Sequence, residues 1–139
     1  MNELYVLDTN ALSEPIKPAP STAFMSQLQQ HQHEIATAAP AFSEMYFGYL
    51  RLPLSRRRSR LERYIQDAVL PLVPILPYDR AAAEWHAAER VRLAGIGRTP
   101  PFVDGQIAAV AAPRGLILVT ANVADFQHFA GLTVVDWRI

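Results

Sequence analysis

Apolar residues recur along this chain in two rhythms, and the alternation between them predicts its elements. Short continuous apolar runs at residues 3–7, 34–37, 73–76, 116–119 and 133–135 read as buried strands. Between them lie longer segments of helical spacing at residues 21–32, 40–52, 56–70, 80–94, 102–112 and 122–129. Punctuation supports the divisions. Pro40 stands in the favoured first turn of its helix. Asp79 is placed to cap residues 80–94, which Gly95 stops. Pro113 and Gly115 close the alanine-rich helix at 102–112. The stretches 15–20 and 95–101 read as loops.

Strands separated by helices need crossover connections, so the fold class expected is α/β, with a mainly parallel sheet sandwiched by helices. Such sheets place their sites outside the carboxyl ends of the strands. One helix stands apart. Residues 40–52 carry Phe42, Met45, Tyr46, Phe47, Tyr49 and Leu50 on most sides, which predicts a largely buried helix. Glu44 occupies the one narrow gap, between Ala41 and Gly48. The Tyr46, Phe47, Tyr49, Leu50 and Leu52 set exceeds what one face can bury, so part of it is expected to meet a partner.

Composition narrows the class. The 139 residues fit a single domain, 1–139, with its own core. Half are hydrophobic and 19% are charged, which excludes a disordered chain. Cysteine is absent, so disulfides, thiolate metal sites and cysteine nucleophiles are excluded, and a reducing cytoplasm is the expected location. No basic region precedes the first apolar residues, and Pro71 and Pro74 break the apolar run at 68–76. Neither a signal peptide nor a transmembrane helix is expected. The net charge is zero, but six of the 13 basic residues crowd into positions 51–63. They are Arg51, Arg56, Arg57, Arg58, Arg60 and Arg63, and guanidinium suits phosphate better than ammonium does. A solvated helix face explains them equally well.

Four acids carry the candidate chemistry. Asp8 ends the first strand and Asp125 follows the fourth; Glu44 and Asp104 sit in apolar helices, where an unpaired carboxylate is costly. Each also has a plain structural reading: Asp8 as a helix cap, Glu44 in an ion pair with an arginine, Asp104 as a first-turn charge, and Asp125 in a capping box with Asn122. Brought together, they repel. Each like pair at ~4 Å costs about 4 kcal/mol at an effective dielectric near 20. A divalent cation relieves that repulsion, and oxygen-only ligands favour Mg²⁺ or Mn²⁺. This is the equipment of a one- or two-metal phosphodiesterase.

Several of these stretches, in order, resemble the PIN-domain ribonucleases, and within them the VapC/FitB-type toxins. They are Val6-Leu7-Asp8-Thr9-Asn10, Phe42-Ser43-Glu44, Pro101-Phe102-Val103-Asp104 and Leu118-Val119-Thr120-Ala121-Asn122 with Asp125-Phe126. The stretch from Glu44 to Pro53 is similar to that branch in particular. The resemblance implies a three-layer α/β/α fold, Mg²⁺- or Mn²⁺-dependent RNA cleavage, a homodimer and a small antitoxin partner. By position it implies Asp8, Glu44 and Asp104 as metal ligands and catalytic acids, Asp125 as a fourth acid acting through water, and Asn10 and Thr120 as hydrogen-bonding supports. Arg51, Arg56, Arg57 and Arg58 are candidates for contact with RNA or antitoxin. The family often carries a basic residue where this chain has Ala121.

Two other classes fit the residues less well. A phosphatase of the haloacid-dehalogenase type needs a second aspartate two residues after the first, and position 10 is Asn; a receiver domain needs a lysine near its acids, and Lys17 is the one lysine. No phosphate-binding Gly-x-x-x-x-Gly-Lys loop is present. A non-catalytic binding module on the same fold is the remaining alternative. His31 and His33 are expected to be solvated, and Trp85 and Trp137 to be packing residues.

Overall fold

The computed structural model describes residues 3–139; Met1 and Asn2, part of the N-terminus read above, lie outside the described residues. Five strands form one sheet: β1 (Tyr5–Leu7), β2 (Ile35–Ala38), β3 (Ile75–Leu76), β4 (Ile117–Val119) and β5 (Thr133–Val135). Their order is β3-β2-β1-β4-β5 and every pairing is parallel. The helices are α1 (Thr9–Ser13), α2 (Thr22–Gln30), α3 (Ala39–Leu50), α4 (Arg56–Tyr64), α5 (Leu70–Leu72), α6 (Arg80–Gly95), α7 (Phe102–Ala111) and α8 (Val123–Phe126).

Side chains alternate across the sheet, and each face has its own core. Leu7 and Val119 point into one, with Leu12, Phe24, Met45, Ile65 and Trp137. Val6 and Leu118 point into the other, with Leu93, Ile107, Val110 and Phe126. Helices therefore cover both faces, giving the expected three layers and the near-continuous apolar strands that such burial demands. The topology also fixes where a site can form. The chain leaves β1 towards β2 and β3, then returns to the opposite side for β4 and β5. The strand order reverses beside β1, so a crevice opens at the carboxyl ends of β1 and β4. Leu7 is in register with Val119, which brings the residues that follow the two strands to one level.

Four expectations need correction. Helix α3 is not buried all round: Ala41, Met45 and Tyr49 line one inward stripe at a spacing of four, while Phe47 and Leu50 are 64% and 52% exposed. Helix α6 runs through Gly95, and the left-handed residue that ends the turn is Gly97, with φ of 74°. The helix expected at 56–70 carries a wider π turn over Ile65–Val69 before α5. Pro71 has no N–H to give and its ring crowds the preceding turn, which accounts for the distortion there. His31 is half-buried, stacked on Trp137 with centroids 5.6 Å apart, and its Nδ1 lies 2.7 Å from a Glu34 oxygen. Trp137 is buried as expected, and no helix among the described residues is long and apolar enough to cross a membrane.

Candidate active site

Asp8 stands at the crevice because β1 ends one residue before it. Its backbone N–H donates to the Val119 carbonyl at 3.1 Å, which extends the ladder between β1 and β4 by one step. The side chain then does two things at once. Oδ1 accepts from the Ala11 N–H at 2.8 Å and so caps α1, while Oδ2 accepts from the Thr120 hydroxyl at 2.5 Å. The capping reading of the sequence is thus met, and the same carboxylate is held by Thr120 at the ends of β1 and β4. Thr120 in turn accepts from the Asn122 N–H at 3.0 Å, so the turn after β4 is tied to the carboxylate after β1. Asp8 is buried, and burial pushes its pKa up against the downward pull of the bonds from Thr120, Ala11 and Asn10. Asp136, following β5, adds a smaller upward push.

Asp104 is half-buried in the first turn of α7. Its pKa is pushed up to about 6, first by burial and then by the charges of Asp125, Asp8 and Glu44. The four carboxylates that lay far apart in the sequence thus share one electrostatic environment. Glu44 comes from the middle of α3 and is exposed rather than embedded; the Thr9 hydroxyl donates to it at 3.2 Å. Asp125 is exposed on α8, and Asn122 ahead of it makes no side-chain cap. Among the described residues, none of the four forms an ion pair with Lys, Arg or His within 4.0 Å, whereas Glu14, Glu89 and Asp136 each do. The ion pair considered for Glu44 is therefore not formed. Arg51 instead lies over the Phe47 ring, 5.5 Å from its centroid.

The donor set is all oxygen and carries up to four negative charges without a cation, which is the chemistry Mg²⁺ or Mn²⁺ meets. Among the described residues, no three acidic or His side chains converge as a ready chelate. Like charges spread apart when nothing holds them, by the same repulsion that raises Asp104. The fit lies in donor type and uncompensated charge, with Asp8 buried and Asp104 half-buried.

The arginine cluster divides. Arg58 donates from Nη1 to the Leu50 and Leu52 carbonyls, at 3.2 and 2.8 Å, and lies over the Tyr49 ring; it terminates α3. Arg60 donates to the Ile16 carbonyl at 2.9 Å. Arg56 and Arg57 are exposed. Sequence reasoning missed Asp136 and Arg138. Arg138 pairs with Asp136 at 3.0 Å, and its Nη2 lies 3.4 Å from the Ala121 carbonyl. A guanidinium therefore stands beside the position where the chain lacks a basic side chain. The signal was available, since Asp136 follows a strand just as Asp8 does. With Asn10, Glu14, Thr120 and Asn122, this pair lines a cavity of about 270 Å³ next to Asp8.

A family profile for the PIN domain matches residues 5–132. The chain belongs to the PIN-domain family. It is 29% identical over 136 residues to the VapC ribonuclease Y4jK of Sinorhizobium fredii, covering 96% of each chain. The structure superposes on FitAcB from Neisseria gonorrhoeae with a TM-score of 0.87 at 27% identity, covering 96% of this chain and 98% of that one. It also superposes on VapBC-5 from Mycobacterium tuberculosis, a member of the VapBC family of toxin–antitoxin systems. There the TM-score is 0.73 at 26% identity, with 98% and 99% covered. The PIN domain of this chain is thus similar, over nearly its full length, to VapC- and FitB-type proteins.

Proposed function

We propose that this PIN domain is a divalent-metal-dependent endoribonuclease and the toxin of a toxin–antitoxin pair. The observation that carries the reading is that Asp125, Asp8 and Glu44 all act on the Asp104 carboxyl, while among the described residues none of the four is in an ion pair. Similarity to a VapC ribonuclease and to a VapBC protein supports RNA as substrate and an antitoxin as partner.

Asp8, Glu44 and Asp104 would hold Mg²⁺ or Mn²⁺, with Asp125 reaching it through water. The ion, when bound, supplies a water of lowered pKa and charge neutralisation on the phosphate. The remaining work belongs to side chains. Thr120, with the N–H groups of Ala11 and Asn10, fixes the Asp8 carboxylate in one orientation and keeps its negative charge available. Asp104, raised towards neutrality, carries a proton part of the time near pH 6 and gives it up when positive charge arrives. Arg138 presents a guanidinium at the rim to a flanking phosphate.

The test is incubation of total RNA with purified, partner-free protein in Mg²⁺, Mn²⁺ or EDTA, beside Asp8→Asn and Asp104→Asn. Metal-dependent fragments that vanish in both folded variants are expected. Full activity in folded Asp104→Asn would remove it from the site. A Mg²⁺ titration read by thermal shift stands beside it, because an ion bound only by the native state must raise the melting temperature. No shift and no cleavage would mean a binding module, and turnover of a generic phosphomonoester without RNA cleavage a different hydrolase.

A further inference from the structure

A cavity of about 690 Å³ opens on the α6–α7 side, away from the carboxylate crevice. It lies between the last turns of α6, the loop 96–101, the first turn of α7 and Phe129. Its lining combines an open aromatic ring with positive charge. Phe102 keeps 53% of its surface exposed, and the Arg90 guanidinium lies 5.0 Å from the ring centroid. Arg98 adds a second guanidinium and Thr99 a hydroxyl, while no acidic residue takes part. The floor is His86, buried and packed against Phe102 at 4.9 Å between centroids. Burial and the charge of Arg90 lower the His86 pKa, so at neutral pH its ring is an uncharged surface.

We propose that this cavity is a nucleotide subsite of the ribonuclease: Phe102 stacks a base of the single-stranded substrate while Arg90 and Arg98 hold its phosphate. The proposal rests on the ribonuclease reading above. An exposed aromatic beside guanidinium groups is how proteins grip single strands, since every base has a π-face and every nucleotide a phosphate. Charge decides against an acidic or neutral peptide as the favoured occupant: the lining is positive, and the substrate is a polyanion. Position gives the register. Phe102 and Asp104 are two residues apart on one helix, hence about 200° apart around it. The cavity therefore opens on the other side of α7 from the carboxylates. The bound base therefore belongs to a neighbour of the cut, and the subsite contributes affinity and choice of sequence rather than chemistry.

The experiment uses a fluorescein-labelled, mixed-sequence single-stranded RNA 15-mer carrying 5-iodouridine, in Mg²⁺, with full-length protein in the Asp8→Asn background to prevent cleavage. Anisotropy compares that protein with its Phe102→Ala, Phe102→Tyr and Arg98→Glu forms, and thermal melting confirms that each is folded. Phe102→Ala is expected to weaken binding about tenfold or more. Phe102→Tyr should restore it, and Arg98→Glu should weaken it with a shallower salt dependence. Ultraviolet crosslinking should label the tryptic peptide 99–114. Unchanged binding in folded Phe102→Ala, with crosslinks elsewhere, overturns the subsite. So does a change of sedimentation in that variant without a change in RNA affinity, which would make the cavity a contact between copies. If the unsubstituted protein cleaves RNA while these variants bind normally, the subsite fails and the ribonuclease stands. If it neither binds nor cleaves RNA, the ribonuclease reading fails and takes the subsite with it.

Discussion

Asp104 concentrates the conflict between stability and chemistry in one side chain. Its carboxyl is raised from 3.8 to about 6 in the folded protein, so the fold prefers the protonated form. The charged form is therefore destabilising at neutral pH, and the penalty is relieved as pH falls through 6 towards the unfolded value. A shift of that size is worth at most about 3 kcal/mol, and partial exposure reduces it to on the order of 1 kcal/mol. In EDTA at pH 7.5, Asp104→Asn should melt about 3–5 °C above the unsubstituted protein. The gap should close towards pH 4.5. In saturating Mg²⁺ the order should reverse, because only the carboxylate gains from the ion. A melting difference that ignores pH would mean that neither burial nor the neighbouring acids govern this group. The sequence exposed Asp8 and Asp104 for a simple reason: a charge beside an apolar run costs energy and stands out. It misplaced Glu44, because a gap in an apolar helix looks the same whether the helix is buried or half-exposed. It hid Asp136, because Arg138 two residues on makes that acid look like a solvated pair.

At the scale of elements, the α6–α7 contact sets where Asp104 stands. The two helices meet where Gly105 faces His86, and a Cβ built on Gly105 would lie 2.3 Å from the His86 Nε2. The imidazole cannot swing clear, since it is buried and its Nδ1 lies 3.0 Å from the Tyr78 hydroxyl. Gly105→Ala should therefore force the helices apart at the first turn of α7, at about 1–3 kcal/mol, and reduce cleavage by moving the adjacent carboxylate. Adding His86→Ala should recover much of the lost stability, and chemical denaturation of the two variants measures both effects. Stability recovered by His86→Ala alone, with no penalty from Gly105→Ala, would place the constraint elsewhere. Sequence periodicity found both helices within a residue or two at each end. It could not find this contact, because a glycine required by a neighbour 19 positions away leaves no local trace. The strands were legible in number and place along the chain, but not in length or in their order in the sheet. Parallel strands buried on both faces are apolar throughout, so the pattern does not mark where pairing stops, as at β3, with two residues where four were expected.

For the whole molecule, the exposed stripe of α3 links the site to assembly. Glu44, Phe47 and Arg51 follow one another at helical spacing, and Leu50 lies three residues after Phe47. Phe47 and Leu50 remain 64% and 52% exposed, and Leu54 beyond the helix is 90% exposed. Were two copies to pair, apolar groups this open, grouped at one helix end, would be suited to a two-fold contact between them. Each such side chain gains about 1.5–3 kcal/mol when fully buried, and two-fold symmetry counts every residue twice. Phe47→Glu with Leu50→Glu should therefore raise the dimer dissociation constant at least about 100-fold, seen as a shift from dimer to monomer in sedimentation velocity near 10 µM. Because Glu44 lies on the same stripe, a copy seated on Phe47 would stand beside the carboxylate crevice. Cleavage per protomer should then fall on dilution in parallel with dimer content, and the double variant should show the dilute behaviour at every concentration. A protein that sediments as a monomer before substitution would instead leave this stripe to the antitoxin, whose binding beside Glu44 would close the same crevice.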